Sequence, residues 1–207
     1  MAIEPRPAPY ALNKISSFKY IELDYFTAKG CRDALADMCK SISHDTLAFT
    51  QVEDTIAIRP LAALRPSKYI RSDEELSWPE MLQAKNTMLS FIAKSGVWLE
   101  GHAQSLASFY VNLELHPQKS LPFGDQALLL YQSRVRREWY DAFARKEGFN
   151  IAIIQDELLC SVAEELNGRI IFREIDQVKC HPFPKPDEEE ETPPVHPHFH
   201  ISNQTAA

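Results

Sequence analysis

Arg134, Arg136, Arg137, Arg145 and Lys146 fall within one short stretch, YQSRVRREWYDAFARKEGF (131–149), interleaved with aromatic rings. Guanidinium groups recognise phosphate with paired hydrogen bonds, and exposed rings stack on bases, so this composition could hold single-stranded nucleic acid. Helical spacing points elsewhere. Leu128, Tyr131, Val135, Trp139 and Ala142 recur three or four apart and form one apolar face, with Phe143 at its edge. The cations fall mainly outside that face. Arg134 stands four residues before Glu138, and Arg137 four before Asp141, so partial neutralisation along the helix is expected. The first reading is therefore a solvated basic face over a buried aromatic face. Phosphate contact by the five cations is the alternative.

A second constellation is Cys180 and His181 followed by His196, His198 and His200. Thiolate and imidazole are zinc ligands, but the spacing matches no closed site, and the intervening prolines leave the ligands unorganised. His44, His102 and His116 have no cysteine or histidine at ligand spacing. The expectation is no resident metal or other cofactor. Acids cluster at Asp73, Glu74 and Glu75, at Asp156 and Glu157, and at Glu164 and Glu165. Catalysis by carboxylates would need them to converge on one point, whereas solvated helix faces and helix N-termini use acids just as often. No nucleophile elbow, phosphate loop, dinucleotide fingerprint or H-E-x-x-H is present. Cys160, beside Leu158 and Leu159, is expected to be an inert core thiol. The chain reads as a binding protein more than as an enzyme.

The elements that would position these residues are mostly helices. SWPEMLQAKNTMLSFIAKSG opens with Ser77 and Glu80 in capping-box spacing, carries Pro79 in its first turn, and closes at Gly96. Met81, Leu82, Met88, Leu89 and Ile92 supply its apolar stripe. A second helix over about 99–115 places Leu106, Phe109, Tyr110 and Leu113 on one side, and Pro117 ends it. The basic stretch belongs to a third, about 125–146, closed by Gly148. Asn150 is expected to cap a fourth, which continues or restarts through RIIFREIDQVK. Nearer the N-terminus, Thr27 can cap a helix to about Cys39, with Ala34, Leu35 and Met38 inward. FKYIELDYF (18–26) suggests a short strand or extended packing segment, and TIAIRP a strand stopped by Pro60.

Length and composition set the frame. The 207 residues suit one domain with a tail, and 44% hydrophobic content supports a core. Six glycines against fourteen prolines argue against glycine-rich phosphate loops and against all-β folds with many tight turns. No apolar run reaches membrane-spanning length and no secretory signal is apparent, so an intracellular protein, cytoplasmic or nuclear, is expected. The four cysteines read as free thiols of a reducing compartment. Of the net charge of −7, a share of −4 sits in residues 185–200, which leaves a body neither strongly basic nor strongly acidic. The expected organisation is an unordered 1–14, a mainly α-helical, bundle-like domain over 15–178 with a small N-terminal extended or β element, and a disordered tail over 179–207 rich in Pro, Glu and His.

FKYIELDYFT, HAQSLASFYVNLELHP and GDQALLLYQSRVRREWYDAF together resemble a family of proteins that recurs in many copies in the genomes of mushroom-forming fungi. The resemblance spans roughly residues 18–178. It implies association with mobile elements, and with it an assembly or nucleic-acid role; it carries over no catalytic residue and no cofactor. The function expected on this basis is a non-enzymatic helical interaction or assembly protein, acting on a protein partner or on itself and not on a membrane. The alternative is a nucleic-acid-binding module using the basic face of the third helix.

Overall fold

The computed structural model describes residues 6–42, 47–52, 55–60 and 64–180. Their order is α1 (Pro9–Ser16), α2 (Ala28–Ile42), a hairpin of β1 (Leu47–Val52) and β2 (Thr55–Pro60), then α3 (Trp78–Ser95), α4 (Glu100–Glu114), α5 (Gly124–Ala144) and α6 (Asp156–Cys180). Short 3-10 turns at Leu23–Phe26, Asp73–Glu75 and Pro117–Ser120 join them. The fold is mainly α, as expected. Two compact units divide the chain, Met1–Ile170 and Ile171–Ala207. The expected tail lies outside the described residues from 181 onward.

The core lies in the first unit. α3 begins as its sequence demands: the Ser77 amide donates to the Glu80 carboxylate at 2.9 Å, and Pro79 occupies the first turn, where a missing N–H has no consequence. Gly96, at φ 64°, takes the left-handed conformation that ends the helix. α4 buries Leu106, Phe109, Tyr110 and Leu113, and α5 buries Leu128, Tyr131, Val135, Trp139 and Ala142, the two faces that periodicity predicts. Phe18 adopts φ 50° and turns its ring among Trp98, Trp139, Tyr140 and Phe143, with centroids 4.6–5.5 Å away. Such tilted and edge-on pairs add to the gain from burial.

Several expectations are corrected. Residues 9–14, expected to be unordered, belong to α1 because Ala11 and Ile15 are buried and Pro9 sits in the first turn. FKYIELDYF forms no strand; the alternative, an extended packing segment, describes it as far as Glu22, with Ile21 buried. Its last residues turn in a 3-10 helix with Leu23, Asp24, Tyr25 and Phe26 all buried. Carboxylates replace a strand partner there: the Leu23 amide donates to Asp73 at 2.7 Å and the Arg71 amide to Asp24 at 3.0 Å. TIAIRP does form a strand, paired antiparallel with β1 from Val52 opposite Thr55 to Leu47 opposite Pro60. Thr27 caps α2 by accepting from the Gly30 amide at 2.8 Å, but α2 runs on to Ile42 and leaves Leu35 45% exposed. Asn150 does not start α6. Its side chain accepts from the Ala152 amide in a turn, Ile151 is buried, and the helix begins only at Asp156. Cys160 is exposed on α6, and Cys39 is exposed as well; Cys31 alone among the described thiols is buried, and burial pushes its pKa up to about 11.

Candidate interaction surface and the buried ion-pair centre

Arg136 is the residue of the basic stretch whose placement departs most from expectation. Its side chain is 0% exposed and cannot meet a phosphate. Nη1 donates to Asp73 Oδ2 at 2.5 Å, and Nη2 to the Ile21 carbonyl at 2.9 Å. Asp73 is equally buried and accepts also from the Leu23 amide and, at 3.1 Å, from the Tyr20 hydroxyl. Burial raises the Tyr20 pKa, so the phenol remains a neutral donor. The Arg136 guanidinium lies 5.2 Å from the Tyr20 ring centroid, and that of Arg137 lies 4.7 Å away. The pair therefore ties α5 to the turn before α3 and to the N-terminal segment at once.

The other three arginines of the stretch are engaged at the surface. Arg134 grips Glu165 with two bonds of 2.6 and 2.9 Å, and this contact holds the Glu165 carboxyl down at about 2. Arg137 reaches the Tyr20 hydroxyl at 3.5 Å. Arg145 bonds Glu138 at 2.5 Å and Glu147 at 2.9 Å. Lys146 is exposed just beyond α5 at φ 64°. The spacing-based partner for Arg134, Glu138, goes instead to Arg145, because an interhelical carboxylate on α6 offers Arg134 the better fork. A continuous phosphate-binding row is not what these contacts present.

Beside this centre runs a second network. Asp24, also buried, accepts from Arg71 Nη2 at 2.9 Å, and the same nitrogen donates to Glu80 at 2.8 Å. The hydrogen bond from Arg71, then those from the Ser77 amide and hydroxyl, hold Glu80 down at about 2. A depressed carboxylate contributes stability above its unfolded pKa and loses it as pH falls through the folded value. Glu80→Gln is therefore expected to cost about 1–2 kcal/mol near neutral pH, after allowance for partial solvent screening. That difference from the parent should close between about pH 4 and pH 2 in urea titrations.

The other sequence-derived candidates do not converge. Among the described residues no group of three His, Cys, Asp or Glu could hold a metal ion. His181, His196, His198 and His200 lie outside the described residues, as does the side chain of Cys180. His44 lies outside them too. His116 accepts from the Gln118 amide and pairs with Asp156 at 3.0 Å, and His102 stacks on Phe143 at 4.5 Å. Asp73 is spent on Arg136, Glu75 on the Ser72 amide, Asp156 on His116 and Glu165 on two arginines. No described helix is long and apolar enough to cross a membrane.

Two apolar features stand open among the described residues. Phe18, Trp98, Leu99, His102, Tyr140 and Phe143 line a shallow groove of about 450 Å³. On α6, Ile171, Phe172 and Ile175 are 55%, 72% and 45% exposed. RIIFREIDQVK is expected from sequence to continue or restart the fourth helix, with no role for its apolar residues; their three- and four-residue spacing is the available signal. No known protein family, curated protein or solved structure matches the chain.

Proposed function

We propose that the protein is a non-enzymatic helical interaction module, an assembly component of the mobile-element-like fungal family that its sequence resembles, and that it works through the end of α6. The observation that carries this reading is the exposure of Ile171, Phe172 and Ile175 together on one helix. Exposed apolar side chains grouped this way mark contact surfaces, because water gains when they are covered. Engagement of Arg134, Arg136 and Arg145 by carboxylates supports protein rather than phosphate as the partner.

A photo-activated cross-linker in place of Phe172, in cells that make the protein, tests the reading. Discrete protein adducts are expected at 172 and none at the control position Glu164, also exposed on α6. Equal, diffuse labelling at both positions would overturn it.

A further inference from the structure

We infer that the partner of α6 is a second copy of the same chain, docked antiparallel. The inference rests on the reading of α6 as a contact helix and adds the identity and direction of what covers it. Phe172 and Ile175 stand three apart, a seam that a facing helix fills when its own apolar residues repeat at the same spacing. A copy of α6 meets that requirement by construction, and a two-fold arrangement closes after two chains.

Charge decides the direction. Arg169 lies three residues before Phe172 and Asp176 one after Ile175, so both flank the same side of the seam. Setting Phe172 of one helix against Ile175 of an antiparallel copy brings Arg169 of each chain beside Asp176 of the other. Two opposite-charge pairs then border one seam. A parallel pair also forms two opposite-charge pairs, Arg169 with Glu164 of the other copy, but it places Asp176 against Ile171 and strands a carboxylate on an apolar side chain, which the antiparallel arrangement avoids. Arg169 can serve both roles, because its contact to Glu165 on the preceding turn uses one of its five donors and the side chain is 48% exposed. Few apolar residues are covered per chain, which places the association among weak, concentration-dependent ones.

Sedimentation equilibrium of the full chain over roughly a hundredfold range of concentration tests this. The apparent mass should climb from 23.7 kDa toward twice that value. Arg169→Asp and Asp176→Arg should each weaken association about tenfold or more, since symmetry applies each like-charge contact twice. The double swap Arg169→Asp/Asp176→Arg should return it to within about threefold of the parent, because surface pairs of either polarity are worth similar energies. A chain that stays monomeric throughout, or an Asp176→Arg variant that associates like the parent, overturns the proposal. If the cross-linker at 172 meanwhile captures a protein of another mass, self-pairing fails while the interaction reading stands. No adduct at 172 from any protein removes both.

Discussion

Arg136→Met is expected to remove about 3–5 kcal/mol of folding stability, the range typical of stranding one member of a buried ion pair. The substitution leaves Asp73 charged and 0% exposed, with only the Leu23 amide and the Tyr20 hydroxyl to offset its lost hydration. Urea unfolding followed by tryptophan fluorescence reads the effect directly, since Trp139 lies on the same helix. Replacing both partners tells a different story. Arg136 Nε has no hydrogen-bond partner in the protein, so the pair is incompletely satisfied. Asp73→Leu/Arg136→Met should accordingly recover most of the loss. Arg145→Met, which breaks only exposed pairs, should leave the urea midpoint close to that of the parent. Equal effects at Arg136 and Arg145 would contradict the placement of Arg136 in the core.

Gly30→Ala is the second large effect. A Cβ at this position would stand 1.7 Å from the Asp24 carbonyl oxygen and 2.6 Å from its carbon, both backbone atoms. The first turn of α2 and the 3-10 turn below it are pressed together there, with the Thr27 cap between them. Neither side can yield without disturbing Asp24, which anchors Arg71. Overpacking by one methyl typically costs 1–3 kcal/mol, and backbone atoms on the far side place this case at about 3 kcal/mol or more. Helix propensity, about 1 kcal/mol in alanine's favour, offsets only part of it. The same change at Gly168 in α6 meets nothing within 4 Å and should stabilise by up to about 1 kcal/mol. One substitution type, two signs, separates close packing from propensity.

Much of the helical frame was legible because it follows from local rules. The stripes of α4 and α5 obey a 3.6-residue period, and the box at Ser77 and Glu80 needs only three residues of context. Arg136 was not legible. It borders the apolar face of α5, where charge ordinarily means solvent, and its partner lies 63 residues earlier in the chain. Asp73 carried an equally bland reading, an acid before a helix, and nothing local separates that use from burial against an arginine. The strand reading of 18–26 failed for a related reason: its alternating aromatics fit a strand, but the Leu23 amide is met by the side chain of Asp73, and its own Asp24 carboxylate takes the Arg71 amide, both supplied by tertiary structure. Asn150 had the right type for a cap and the wrong turn; burial of Ile151 holds it outside the helix. The apolar residues at the end of α6 were visible as letters, yet only the structure gives their exposure.

The central claim is that the protein meets its partner through the apolar end of α6 and not through the cations of α5. Cross-linkers placed singly at Phe172 and at Arg145, in cells and followed by separate nuclease and protease digestion of the adducts, test it most directly. The account predicts protease-sensitive, nuclease-resistant adducts at 172 and no nucleic acid at 145. Nucleic-acid adducts at 145 with nothing at 172 would contradict it.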